Sequence, residues 1–273
     1  MVLPTVQTAK TQFVTTKDNI KLAYRYIGIE TGVPLLLLQH FRATIDHWDP
    51  LLVNILSLTR PIILFDNAGI GHSTGEVDEN FVAMGDHVIE FLSLINVKEV
   101  DIFGFSLGGI IAPFVKLNGP KGLVRKLILA GMGPTAGKGV EPGMADPNVQ
   151  KYATVGEVQE EAETSGEERL KYLSEGLQDG GAGMMALITA MVKGGDVANR
   201  AEGSYDRLGE LDGPVLVANG YEDIMVPTVN SFVMSQKIPN AFLLVYPGAG
   251  HGFCFQYPEH FAKQVVDFLD EWN

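Results

Sequence analysis

Short apolar runs recur along this chain at 35–38, 62–65, 100–103, 127–130, 215–218 and 243–246. Longer segments with helical spacing of apolar residues separate them, at 48–58, 81–95, 107–117, 228–236 and 258–271, each bordered by Gly, Pro or Asn. Strands without internal polar positions belong in a parallel sheet covered on both faces. The order therefore reads as β-α-β units rather than as a bundle or a sandwich. Ahead of them, 13–16 and 21–26 read as two strands joined through Asp18-Asn19, an antiparallel ribbon.

The rhythm stops between Pro134 and Pro214, where the composition turns to Gly, Glu and Met. Some 80 structureless residues inside a compact chain would be unusual, so a helical insertion is expected over 135–213, with the core formed by 1–134 and 214–273. Its expected helices are 149–163, 167–178, 183–193 and 199–208, jointed at Gly180-Gly181 and Gly194-Gly195. A hydrophobic content of 46% in 273 residues supports a large core and excludes disorder.

The net charge of −13 repels phosphate backbones and anionic lipid headgroups, so neither nucleic acid nor a membrane surface is an expected partner. The first dozen residues do not read as a secretory signal, and no apolar run approaches a membrane span. A single cysteine, Cys254, cannot close an intramolecular disulfide, and no Cys/His cluster has metal-ligand spacing. A cytoplasmic protein without a metal or organic cofactor is expected.

Gly104-Phe105-Ser106-Leu107-Gly108 fits G-x-S-x-G and falls between an expected strand and an expected helix. Among 31 glycines the pattern alone arises easily by chance. Its strand-to-helix context makes Ser106 the candidate nucleophile, with small residues two positions to either side and the amide of Leu107 at the helix start as a candidate oxyanion donor. A serine hydroxyl needs a positioned base, and on such a scaffold the chain order is serine, acid, histidine. His251, in the pliable Gly248-Ala249-Gly250-His251-Gly252 loop, is the candidate base. His47, His72 and His87 precede Ser106, and His260 lies inside a helix. The candidate acid is Asp223, in the loop that follows the 215–218 strand, with Glu222 as neighbouring rival.

With these residues in place, the chain resembles the α/β-hydrolase superfamily of serine hydrolases over nearly its whole length. The resemblance implies an eight-stranded, mostly parallel sheet, a helical cap inserted after the sixth strand, and a triad of Ser106, Asp223 and His251. Asp66-Asn67-Ala68-Gly69-Ile70-Gly71-His72-Ser73 looks like the family's D-x-R-G-x-G-x-S turn, with Ala68 where an arginine is usual. The family's H-G-x-P stretch corresponds to Gln39-His40-Phe41-Arg42, which puts His40 at the glycine position. The Phe41 N–H is still expected to complete the oxyanion hole with Leu107, because that contribution needs only a main-chain donor.

Substrate contacts are expected from Arg42, Phe105, Met132, Met184, Met185, Met191 and Met225. Arg42 would meet a carboxylate or carbonyl, or else pair with Asp46 or Asp49 at the surface. The methionines would form an adaptable apolar pocket. Met184, Met185, Ile188, Met191 and Val192 recur at helical spacing, an expected apolar stripe roofing Ser106.

The expected activity is hydrolysis of an ester or lactone of an apolar small molecule through an acyl-enzyme, and homodimerisation stays open. Serine-dependent carbon–carbon bond hydrolases, perhydrolases and hydroxynitrile lyases remain alternatives within the resemblance, as does a ligand receptor that retains the triad. Haloalkane dehalogenases and epoxide hydrolases carry aspartate where this chain has Ser106.

Overall fold

The computed structural model describes residues 4–143, 182–195 and 203–272. Eight strands form one sheet: β1 (Gln12–Thr15), β2 (Lys21–Gly28), β3 (Leu35–Leu38), β4 (Pro61–Phe65), β5 (Val100–Phe105), β6 (Val124–Ala130), β7 (Val215–Gly220) and β8 (Ala241–Tyr246). Their spatial order is β1-β2-β4-β3-β5-β6-β7-β8. β1 and β2 pair antiparallel, β2 runs antiparallel to β4, and β3 through β8 are mutually parallel. Asn19 adopts φ +64° in the turn that joins the first two strands, a conformation asparagine tolerates better than most residues.

The helices are α1 (Pro50–Ser57), α2 (Phe81–Leu94), α3 (Leu107–Asn118), α4 (Ala182–Gly195), α5 (Thr228–Lys237), the single turn α6 (Phe253–Gln256) and α7 (Pro258–Glu271). Two start on side-chain caps: Asp49 accepts from the Leu51 N–H at 2.8 Å, and Asn80 from the Ala83 N–H at 2.8 Å. One face of the sheet packs on α2, α3 and α5 through residues such as Leu36, Phe91, Phe114 and Met234. The other packs on α1 and α7 through Leu37, Leu52, Phe261 and Phe268. The central strands are therefore dry on both sides, which is why they lack alternation.

The strand over 100–103 is not free of polar residues. Asp101 is wholly buried in β5, and Arg125 of β6 holds it through Nε and a terminal nitrogen at 2.9 and 2.5 Å. Pairing with a forked guanidinium is what makes a carboxylate tolerable there. Lys126 is likewise buried, and its ammonium donates to carbonyls of Phe268, Leu269 and Trp272, closing the C-terminal end of α7.

β6 and β7 are direct neighbours, so the chain leaves the sheet at Ala130 and re-enters at Val215. Within that excursion the expected helices 149–163 and 167–178 lie outside the described residues. The expected 183–193 helix is α4. Of the expected 199–208 helix, 199–202 lie outside the described residues, and the rest is a tight 3-10 turn over Tyr205–Glu210. That turn is tethered to the chain after β6: the Tyr205 N–H donates to Thr135 Oγ1 and its hydroxyl to the Lys138 carbonyl.

The expected methionine roof over Ser106 is overturned in its orientation. α4 buries Leu187, Ala190 and Gly194 against the core, whereas Met185 is 57% and Met191 37% exposed, with Ile188 and Val192 also outward. The side chain of Met184 lies outside the described residues. Glycine and alanine let this helix approach Phe81 and Thr135, a close contact that a stripe of long thioethers would prevent.

The start of α3 is a very tight junction. A Cβ on Gly108 would strike the carbonyl of Leu38 in β3, and one on Gly104 the carbonyl of Gly108. Gly108→Ala is expected to cost about 3 kcal/mol or more of unfolding free energy, measured by denaturant titration.

Candidate active site

Ser106 stands at the turn between β5 and α3 with φ +53° and ψ −116°, strained for a residue with a side chain. The turn is held on both sides: the Ser106 N–H donates to the Ala130 carbonyl of β6 at 2.8 Å, and its own carbonyl accepts from Gly109 and Ile110 of α3. Leu107 is the first helical residue, so its N–H has no carbonyl one turn back to bond with.

The structure brings Ser106, His251 and Asp223 together. His251 Nε2 lies 3.0 Å from Ser106 Oγ, and His251 Nδ1 lies 2.8 Å from Asp223 Oδ2. A carboxylate only accepts, so Nδ1 carries the proton and Nε2 presents its lone pair to the serine. Asp223 Oδ1 accepts from the N–H groups of Met225 and Val226 at 2.9 and 2.8 Å, which locks the carboxylate in a turn just past β7. Glu222 instead points outward, with its N–H on the Ala249 carbonyl.

The loop after β3 runs beside this chain of hydrogen bonds, because Gly108 lets α3 rest on Leu38. His40 Nδ1 donates to the Phe41 carbonyl at 3.2 Å, and Arg42 takes a left-handed φ of +60°. Burial, aided by the neighbouring His47 and His251, pushes the His40 imidazole down to about 3. His40 is thus neutral at ordinary pH and adds no positive charge beside His251.

Phe105 and Met132 are not placed as substrate contacts. Phe105, last residue of β5, is buried and packs against two imidazoles, with ring centroids 5.2 Å from His251 and 5.7 Å from His40. Met132 is buried in the core beside Gly109. Met225 is half-buried in the Asp223 turn, where its N–H is engaged and its carbonyl abuts Gly143. Cys254 is fully buried, and burial raises its thiol well above the usual range, so no second nucleophile stands there.

Arg42 lines a cavity between the β3 loop and α2, together with His40, Asn67, Asp78, His87, Leu107 and Leu187 among others. His87 Nδ1 lies 3.0 Å from Asp78 Oδ2, and that carboxylate raises the imidazole above its ordinary value. Chain order sets His87 aside as a base for Ser106, and nothing in the spacing of Asn67, Asp78 and His87 announces a shared cavity. Among the described residues no group of three or more His, Cys, Asp or Glu is disposed to hold a metal ion. No helix among them is long and apolar enough to cross a membrane.

Asp66 ties the site's two loops together. It is completely buried and accepts from Gln39 Nε2 at 3.1 Å, the Ile45 N–H at 2.7 Å and the His72 N–H at 2.9 Å. Burial outweighs these donors and pushes its carboxyl up to about 6 from 3.8. The folded state therefore binds this proton more tightly than the unfolded chain, a contribution to stability present below about pH 4 and lost as pH rises through about 6. The stability of the wild type minus that of Asp66→Asn is expected to fall by about 3 kcal/mol between those limits, read from denaturant titrations across pH.

The sequence profile of the alpha/beta hydrolase family matches residues 39–267. Among solved structures, an alpha/beta hydrolase fold protein from Chitinophaga pinensis superimposes with a TM-score of 0.84 at 32% identity, covering 98% of this chain and 100% of that one. Among curated proteins, a putative carbamate hydrolase, RutD, of Caulobacter sp. (strain K31) is 24% identical across 81% of this chain and 85% of its own length. A 2-hydroxymuconate semialdehyde hydrolase of Pseudomonas putida is 27% identical across 79% of each. With the fold and the match spanning most of its length, the chain belongs to the alpha/beta hydrolase family.

Proposed function

We propose that the protein is a serine hydrolase that cleaves an ester or lactone of a largely apolar small molecule through an acyl-enzyme. The observation that carries this reading is the continuous chain from Ser106 Oγ through His251 to Asp223. Ser106 Oγ attacks the carbonyl carbon as its proton passes to His251 Nε2. The N–H groups of Phe41 and Leu107 receive the oxyanion. On collapse of the tetrahedral intermediate the C–O bond breaks and His251 returns the proton to the leaving alkoxide. Water then attacks the acyl-enzyme with His251 as base, releasing the acid and restoring Ser106. Asp223 keeps the proton on Nδ1 and stabilises the imidazolium. None of these steps calls for a metal or an organic cofactor, and a buried, unpaired thiol suits a cytoplasmic setting.

Curated relatives are named for carbamate and for semialdehyde hydrolysis, so substrate class is decided by turnover. A panel of p-nitrophenyl esters, lactones, carbamates and vinylogous diketones is expected to give its highest kcat/KM on an ester or lactone. Maximal turnover on the diketones would replace this reading with carbon–carbon bond hydrolysis.

A fluorophosphonate is expected to label the wild type stoichiometrically and Ser106→Ala not at all, checked by intact-mass spectrometry. Asp223→Asn is expected to fold normally and lower kcat by about 10⁴-fold, because the amide favours the wrong imidazole tautomer. A larger loss in Glu222→Gln would move the acid by one residue.

A further inference from the structure

Asn219 is completely buried near the end of β7, and strand alternation puts it on the face where Val215 and Val217 join the core under α2, α3 and α5. An amide in an otherwise apolar row is costly unless both of its ends are matched. Asn219 Oδ1 accepts from the Gly220 N–H at 2.9 Å, and Asn219 Nδ2 donates to the Val226 carbonyl at 3.0 Å. With a donor facing one end and an acceptor facing the other, the orientation of the amide is fixed.

These partners lie on the two limbs of the turn that carries Asp223. Val226 is held twice, its carbonyl by Asn219 and its N–H by Asp223 Oδ1 at 2.8 Å. Asp223 Oδ2 in turn meets His251 Nδ1 at 2.8 Å, and His251 Nε2 meets Ser106 Oγ at 3.0 Å. The run of contacts that begins at the nucleophile therefore ends at Asn219 rather than at Asp223. Thr228 Oγ1 adds a second tie across the turn, donating to the Gly220 carbonyl at 2.6 Å.

We propose that Asn219 is a positioning residue for the hydrolytic reaction. It touches no reacting atom; by clamping Gly220 and Val226 it makes the turn present Asp223 Oδ2 to His251 Nδ1. Without the clamp the carboxylate loses its fixed direction, and a misplacement of about 1 Å costs about 100-fold in rate. This assignment rests on the serine-hydrolase reading above.

The test is a double-mutant cycle read from hydrolysis of p-nitrophenyl acetate. Asn219→Leu, similar in shape and suited to an apolar row, removes both amide hydrogen bonds. It is expected to lower kcat by about 100-fold and to leave KM within about twofold, since the lost interaction matters for the chemical step and not for binding. In the Asp223→Asn background the same substitution is expected to lower kcat by less than about twofold, because a residue that acts only through the Asp223 carboxylate has nothing left to position. Thermal melting verifies that each variant is folded. Should Asn219→Leu not fold, Asn219→Ser, too short to reach both Gly220 and Val226, takes its place in both backgrounds with the same expectations. If neither folds, Asn219 serves the fold as a whole and the proposal is overturned. A folded variant with unchanged kcat overturns it, as does a loss confined to KM. An equal fold-loss in both backgrounds overturns it too, since that marks general packing. In each of these cases activity that depends on Ser106 leaves the serine-hydrolase reading standing. Hydrolysis that persists in Ser106→Ala removes that reading, and the role of Asn219 with it.

Discussion

The absence of side chains at Gly104 and Gly108 lets α3 start directly on the carbonyl of Leu38 and fold back over the end of β5. Everything at the site follows from that approach. It forces Ser106 into a left-handed turn, presents its hydroxyl at the rim of the sheet, and brings the first amide of a helix next to the loop that leaves β3. The strain is local and is held by surrounding bonds, from Ser106 N–H to Ala130 and from Gly109 and Ile110 to the Ser106 carbonyl.

A second constraint is the buried carboxylate of Asp66. It stands at the end of β4, next to β3 in the sheet, and joins Gln39, Ile45 and His72. Trp48 Nε1 donates to Gln39 Oε1 at 2.9 Å, so the network extends from the loop after β4 through Gln39 into the segment that leads to α1. Where the family's turn usually has an arginine, Ala68 is buried and lines the cavity, leaving that volume to Asn67 and the apolar wall. His40, in place of a glycine, fills part of the same region as a neutral ring and secures the Phe41 carbonyl. Both departures line the cavity beside Leu107, while the hydrogen-bonded chain from Ser106 through His251 to Asp223 is complete.

The order of strands and helices was legible because each signal is local. An uninterrupted apolar run bounded by Gly or Pro reads as a strand dry on both faces, and the helix starts at Asp49 and Asn80 are written in residues that cap through their own side chains. Ser106 was legible because its five-residue glycine pattern sits at a strand-to-helix turn, although the approach that demands Gly108 comes from Leu38 of β3. Asp223 and His251 were accessible through chain order and the turn residues around them. The face that α4 turns to the core was not. Periodicity showed an apolar stripe at Met185, Ile188 and Met191, but a second, smaller stripe of Leu187, Ala190 and Gly194 is buried because close packing on Phe81 requires small residues.

By itself the sequence determined the parallel sheet, the strained serine turn and the residues able to form a hydrogen-bonded chain, because these depend on spacing, side-chain size and turn chemistry within short windows. Tertiary structure alone decided that Phe105 packs against two imidazoles, and that Asn67, Asp78 and His87 meet His40 around one cavity. Those residues come from the loop after β3, the loop after β4 and helix α2, and nothing local links them. Their proximity arises from the sheet placing β4 beside β3 and from the packing of α2 against α3, which only the folded chain brings about.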